Sequence, residues 1–201
     1  MVTLGILITC SMLVIISDVR VAVVGYVAFT AMIIVLLAHH ESGATAITLL
    51  ALIAFAKLLV GPAALVFVTL RYRLPWNLLP SANLPLRIVT VVAMAFIAHA
   101  IGRMDAFAPI HQASIVFFAL FASVATVVLH RSLLAHIMGL LMLGGAITLA
   151  GASFAPSLPG AVELADTFDI IMTTFVALGV VRALLAHDPR VTITALRDLR
   201  G

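Results

Sequence analysis

The long runs of sequence without a charged residue are the strongest constraint on how this chain folds. Residues 21–38 and 132–162 contain no Asp, Glu, Lys or Arg. A helix that crosses a bilayer needs roughly 20 mostly apolar residues. Only 9% of the 201 residues are charged and 64% are hydrophobic, whereas roughly a quarter of the residues in a soluble domain are charged. The chain has too few charges to cover a soluble globule, which predicts an integral membrane protein.

The apolar segments predict an all-α fold, a polytopic membrane helix bundle with about seven transmembrane helices. The predicted helices cover residues 3–17, 21–38, 45–70, 86–101, 113–129, 133–152 and 164–186. We expect residues 1–187 to form a single transmembrane domain and residues 188–201 to form a short tail that is too polar to span. The first apolar segment lacks a preceding basic region, so we interpret it as a retained helix.

The basic residues are distributed unevenly between the two sides of this predicted bundle. Of the 11 Lys and Arg residues, Arg103 falls on one side and Lys57 inside the membrane. The others fall on the opposite side: Arg20, Arg71, Arg73, Arg87, Arg131, Arg182, Arg190, Arg197 and Arg200. The positive-inside rule then predicts a cytoplasmic C-terminus and an external N-terminus. Topology explains the basic charge better than nucleic-acid binding, and we expect lipid to surround the chain.

Lys57 is the most unusual residue of the predicted third helix, because it lies near the membrane midplane. An ionisable group costs a few kcal/mol or more there and usually faces a bundle interior. Pro62 follows on the same helix, lacks a backbone N–H and blocks the carbonyl of Leu58, which predicts a kink just after Lys57. Two interpretations are open: Lys57 lines a functional polar cavity, or it forms an internal salt bridge needed for assembly.

Acidic residues mark the predicted seventh helix. Asp169 lies about 8 Å inside it, and Thr173 is placed on the same face to hydrogen-bond its carboxyl. A carboxyl balanced between burial and a nearby cation can carry protons, but a structural hydrogen bond or ion pair is an equal alternative. Glu163 and Asp166 lie nearer the outer surface, where anions favour a helix N-terminus.

The remaining polar residues give no motif for catalysis or for a cofactor. His99, His130 and His136 are placed either to relay protons or to donate interhelical hydrogen bonds. The histidines lack metal-ligand spacing, the single Cys10 cannot form an internal disulfide, and we find no nucleotide, nucleophile or haem motif. We therefore expect no cofactor. Gly139 and Ala135 form a small-residue pair that predicts a centrally packed sixth helix.

Several segments carry a family resemblance. The C-terminal third reads LLAHIMGLLMLGGAITLAG and then LPGAVELADTFDIIMTTFVALGVV, while the third and fourth helices contain LLALIAFAKLLVGPAALVF and NLPLRIVTVVAMAFIAH. These segments resemble the membrane subunit called hydrogenase-4 component E. That subunit is related in its last three helices to the K subunit of respiratory complex I and to the C subunit of multisubunit cation/proton antiporters. The resemblance covers most of residues 45–182.

The resemblance implies roles for individual residues. Lys57 matches the family's third-helix lysine, Glu163 the glutamate of its VEL stretch, and Asp169 the acidic residue of its last helix. The sixth helix of the family usually carries Glu-Asn-Gly, whereas this chain has Gly144, Gly145 and Ala146. The central carboxylate of the proton path is therefore missing. Water beside Gly144, or His136 two turns away, is the substitute that the sequence offers.

Two functions from different classes follow. The first is a non-catalytic membrane subunit of a hydrogenase-like or complex I-like oxidoreductase, in the inner (plasma) membrane of a prokaryote. The resemblance implies antiporter-like membrane subunits, a quinone-site-type membrane subunit and iron–sulfur or hydrogenase-like peripheral subunits as partners. The second is a stand-alone ion or small-molecule transporter, or a subunit of a multisubunit cation/proton antiporter, that uses Lys57 and Asp169.

Overall fold

The computed structural model describes residues 2–40, 55–71, 76–107, 110 and 112–154, and this part of the chain is helical. The helices are α1 (Val2–Ile15), α2 (Val19–His40), a π-helical turn (Ala56–Val60), α3 (Gly61–Arg71), α4 (Leu84–Gly102), α5 (Ala113–Leu129) and α6 (Leu133–Phe154). Within these ranges the only β-type pairings are two isolated bridges, Asp18–Asn77 and Pro80–His130. The prediction of an all-α fold is confirmed for the described residues.

Three of the described helices are long and apolar enough to cross a membrane, by length and composition. They cover Val19–Ala38, Leu84–Gly102 and Leu133–Phe154. Two further apolar helices, Val2–Ile15 and Ala113–Leu129, are shorter than a typical span. The predicted seventh helix and the tail lie outside the described residues, so the count of about seven spans stays a prediction.

The helix boundaries differ slightly from the predicted ones, for local reasons. α2 begins at Val19 rather than at residue 21, because the Oδ1 atom of Asp18 accepts a hydrogen bond of 2.7 Å from the backbone N–H of Arg20. Asp18 is therefore the N-terminal capping residue of α2. α4 begins at Leu84 rather than at residue 86, with Pro85 in its first turn, where the missing N–H costs no helical hydrogen bond.

α6 is the most buried of the three long apolar helices, and its small residues let neighbouring helices approach closely. It packs along α5 on one side and against α2 on another. A Cβ added at Gly139 would lie 3.1 Å from the backbone carbonyl of Ser123, and one at Gly145 would lie 2.9 Å from the ring of Phe29. Both glycines therefore allow an approach between helices that any side chain would prevent.

One end of the bundle collects the described basic residues. The segment before α4 crosses this end, with hydrogen bonds from Leu78 N to the carbonyl of Ser17 and from Ser81 N to the carbonyl of Leu129. It thereby joins the α1–α2 turn to the α5–α6 turn. The basic residues placed at this end are Arg20, Arg87 and Arg131, and Arg71 ends α3 a few residues before the crossing segment. Arg103 and Asp105 follow α4 at the opposite end. We refer to the first of these as the basic end.

Candidate functional site

Lys57 lies in a distorted stretch of helix. The π-helical turn Ala56–Val60 immediately precedes α3, and Pro62 is the second residue of α3. Because proline lacks an N–H and its ring crowds the carbonyl four residues earlier, the preceding turn cannot keep regular α-helical hydrogen bonds. The distortion predicted beside Lys57 is present, as a wider π-helical turn that includes the lysine itself. Single π-helical turns inside helices are frequent at functional sites.

The Lys57 side chain faces the protein interior. It is 1% exposed and is among the largest fully buried side chains. Its ammonium donates a hydrogen bond to the hydroxyl of Thr148 on α6. That hydroxyl in turn donates to the carbonyl of Gly144, at 3.0 Å. A continuous polar connection therefore runs from the π-helical turn to the backbone of α6.

Gly144 occupies the position at which the family resemblance implies a buried glutamate. In this chain the position supplies its backbone carbonyl, which accepts the hydroxyl of Thr148. Thr148 lies one helical turn further along α6, on the same face. The ammonium of Lys57 thus sits within one helical turn of the position from which the carboxylate is missing.

α2 carries two further buried polar side chains, and the first of them lies beside the start of α3. Tyr26 and Thr30 are one turn apart and each is 1% exposed. A Cβ added at Gly61, just after the π-helical turn, would lie 3.7 Å from Cε1 of Tyr26. The Oγ1 atom of Thr30 is buried and has no hydrogen-bond partner among the described residues. We define the Lys57 cluster as Tyr26, Lys57 and Thr148.

Two members of the Lys57 cluster were absent from the sequence-based prediction. Tyr26 and Thr148 lie inside long apolar segments, where a hydroxyl is a weak signal because it can bond to its own helix. What identifies these residues is that they are buried facing an ionisable group. This can be recognised only when the packing of α2 and α6 is known. Thr148 brings a hydroxyl to the one lysine of the chain.

The other predicted site residues lie apart from this cluster or outside the described residues. His136 is in the first turn of α6, and its Nδ1 lies 2.9 Å from the carbonyl of Ser132. It is about 18 Å along the helix axis from Thr148, so the structure does not bring it to Lys57. The suggestion that His136 substitutes for the missing carboxylate stays a prediction. Asp169 and Glu163 fall outside the described residues and stay predictions.

A second buried polar cluster lies at the basic end. His130 places Nδ1 3.0 Å from the carbonyl of Thr126 and Nε2 3.1 Å from the carbonyl of Ile16. Arg87, which is 6% exposed, donates to the carbonyl of Ile15 and to the hydroxyl of Ser17. Together these two side chains bind the last carbonyls of α1, which a helix C-terminus leaves without intrahelical partners. The cluster fastens α1 to α4 and α5.

Burial lowers the pKa of His130, with the charges of Arg87 and His136 acting in the same direction. The side chain lies in the α5–α6 connection, outside the helices. A neutral imidazole carries one N–H and donates to one of the two carbonyls at a time. The unfolded chain binds a proton at this histidine more readily than the folded chain does. The contribution of His130 to the free energy of unfolding is therefore complete above the ordinary histidine pKa and is lost as the pH falls below it.

We therefore expect the detergent-solubilised protein to lose stability between pH 7 and pH 5, with a slope of at most about 1.4 kcal/mol per pH unit from this one residue. His130→Gln should flatten the profile, because the amide does not titrate. His99→Gln, on an exposed position of α4, is the matched control and should leave the slope unchanged. The measurement is thermal unfolding as a function of pH; equal slopes in all three proteins would contradict the assignment.

Comparison of the chain with protein-family models, with curated proteins and with solved structures finds no match. Within the described part of the chain, no three His, Cys, Asp or Glu residues gather in a way that would hold a metal ion. The resemblance to hydrogenase-4 component E therefore stays a prediction from the sequence. The proposed function is therefore based on the geometry of the Lys57 cluster.

Proposed function

We propose that this chain is a non-catalytic membrane subunit of a hydrogenase-like or complex I-like oxidoreductase. The observation that supports this proposal best is the buried Lys57, whose ammonium bonds to Thr148 in the interior of an otherwise apolar bundle. A charge at such a position is costly, and membrane proteins keep one where it has a role. In this proposal the metal clusters belong to partner subunits, as the family resemblance implies.

In this proposal the Lys57 cluster acts as a fixed positive charge rather than as a complete proton path. The ammonium, the Thr148 hydroxyl and the Gly144 carbonyl form a short connection, but position 144 supplies no carboxylate to take up and release a proton. The charge would instead stabilise negative groups on neighbouring helices, and it would act on those of other subunits through the low-dielectric interior. Its main role is then in assembly and in the electrostatics of ion movement nearby.

The proposed location is the plasma membrane of a prokaryote, with the basic end towards the cytoplasm. This orientation follows from the positive-inside rule, because the described arginines of the basic end outnumber Arg103 at the other end. It places the N-terminus outside and the C-terminus in the cytoplasm. Reporter fusions at the C-terminus and beside Asp105 should report opposite sides of the membrane; the same side for both would refute the orientation.

The partners are tested by purification at native levels in a mild detergent. We expect antiporter-like membrane subunits, a quinone-site-type membrane subunit and iron–sulfur or hydrogenase-like peripheral subunits to be recovered with the chain. Lys57→Met should reduce this recovery, because it removes the buried charge while keeping an unbranched side chain. Arg103→Gln is the control, since Arg103 is exposed at the end opposite the basic end.

A stand-alone transporter is the competing function, and the same purification distinguishes it. A monodisperse protein without partners that moves ions across liposome membranes would contradict the proposed subunit role. In that case Lys57→Met should lower the transport rate, and the Lys57 cluster would be the transport site itself.

A further inference from the structure

The basic end carries an arginine and a tryptophan that are arranged as a pair. The guanidinium carbon of Arg20 lies 4.9 Å from the centroid of the Trp76 ring. The pair is fixed by the backbone, because Val19 N donates to the carbonyl of Trp76 at 3.2 Å. A guanidinium held over an aromatic ring by a cation–π contact keeps its N–H groups for other acceptors.

The positive charge of Arg20 is not neutralised by the nearest acid. Asp18 directs its Oδ1 atom to the backbone N–H of Arg20, at 2.7 Å, where it caps α2. Within the part of the chain that the structure describes, no carboxylate forms an ion pair with the Arg20 side chain, and the residue is exposed. Arg20 therefore presents a fork of free donors that matches the geometry of a phosphate group.

An apolar strip on α2 leads away from Arg20 into the membrane region. Residues at steps of three or four along a helix lie on one face, and Val24 and Val35 on the Arg20 face are 67% and 54% exposed. Ala31 lies between them and is partly exposed. The strip extends about 22 Å from Arg20 to Val35 at ~1.5 Å per residue, which is longer than the roughly 15 Å of hydrocarbon in one leaflet.

From this arrangement we propose that Arg20 and Trp76 form a binding site for one anionic phospholipid. The phosphate of the headgroup accepts hydrogen bonds from the guanidinium edge, the indole of Trp76 lies at the level of the headgroups, and an acyl chain follows Val24, Ala31 and Val35. Tryptophan is typical of this interfacial level, and basic groups at a membrane surface attract anionic lipids. This proposal does not depend on the proposed function.

The test compares two lipids added to the protein in dodecyl maltoside micelles. Phosphatidylglycerol is expected to raise the thermal unfolding temperature more than phosphatidylcholine does. In a titration, Arg20→Gln should weaken the response to phosphatidylglycerol about tenfold, the size of effect expected for a lost charged hydrogen bond. Arg20→Lys should weaken it by less, because it keeps the charge but not the planar fork.

Arg103→Gln is the matched control, because it removes one exposed arginine from the opposite end. It should leave the response to phosphatidylglycerol unchanged. Equal weakening in Arg20→Gln and Arg103→Gln would mean that net charge alone attracts the lipid, and would overturn the proposed site. The same holds if phosphatidylcholine acts as strongly as phosphatidylglycerol, or if inorganic phosphate at equal ionic strength reproduces the whole effect.

Discussion

Replacing Thr148 by valine is expected to destabilise the folded protein by about 2 kcal/mol more than the same replacement at Thr69. Both threonines are 1% exposed, and both donate their hydroxyl to the carbonyl four residues earlier, at 3.0 Å for Thr148 and 2.7 Å for Thr69. Thr148 alone also accepts the ammonium of Lys57. Valine leaves that charged donor without this acceptor, and the loss of a hydrogen bond to a charged group costs about 1.5–3 kcal/mol.

A double-mutant cycle isolates this pair from the other contacts of both residues. Thr148→Val, Lys57→Met and the double variant are compared by thermal or denaturant unfolding in detergent. We expect the double variant to be less destabilised than the sum of the single variants, with a coupling of roughly 1–3 kcal/mol. A coupling near zero would show that the contact between Lys57 and Thr148 contributes nothing to stability.

The coupling also bears on the proposed function. If Lys57 acts as a fixed charge in assembly, Thr148→Val should lower the recovery of partner subunits, because the ammonium is no longer held towards α6. Thr69→Val is again the control, since its hydroxyl bonds only within α3 among the described residues. If Thr148→Val leaves the recovery of partner subunits unchanged while the double-mutant cycle shows a coupling, the contact stabilises the fold but has no role in assembly.

Gly139→Val is expected to destabilise the packing of α6 on α5 by about 3 kcal/mol, the upper range for overpacking. A Cβ at this position would lie 2.4 Å from Cγ2 of Val127 and 3.1 Å from the backbone carbonyl of Ser123. The side chain of Val127 has few alternative rotamers in a helix, and the carbonyl cannot move without moving α5. The two helices must therefore separate along their length.

Gly25→Ala provides the control for the glycine substitution. Its added Cβ would meet the side-chain end of Leu13, at 3.3 Å, and no backbone atom is among its nearest neighbours. Leu13 can give way, and alanine favours the helix over glycine by up to about 1 kcal/mol. We expect Gly25→Ala to be close to neutral and Gly139→Val to unfold at a clearly lower temperature. Similar unfolding temperatures for the two variants would contradict the close approach of α5 and α6.

The sequence alone determined the features that depend on local composition. The absence of charges from long segments predicted the helical class, and α5 was predicted with the bounds that the structure has. The place of the helix distortion was also predictable, because Pro62 removes a backbone donor whatever the fold around it. The burial of Lys57 followed from the cost of placing an ammonium against lipid, and the structure shows the side chain buried.

Tertiary structure decided which groups meet. Thr148 is far from Lys57 in sequence, and its hydroxyl can form a hydrogen bond with a carbonyl of its own helix. No local signal therefore marked it as the acceptor of the ammonium. The pairing of Arg20 with Trp76 depends on the course of the segment that crosses the basic end, which the helix prediction left outside the spans. His136 lies two turns from Gly144 on α6, as counting turns predicts, and its role beside the missing carboxylate stays a prediction. Local sequence fixes where a helix forms and bends, whereas contacts between helices depend on how their faces pack, and that is decided by the shape of the whole bundle.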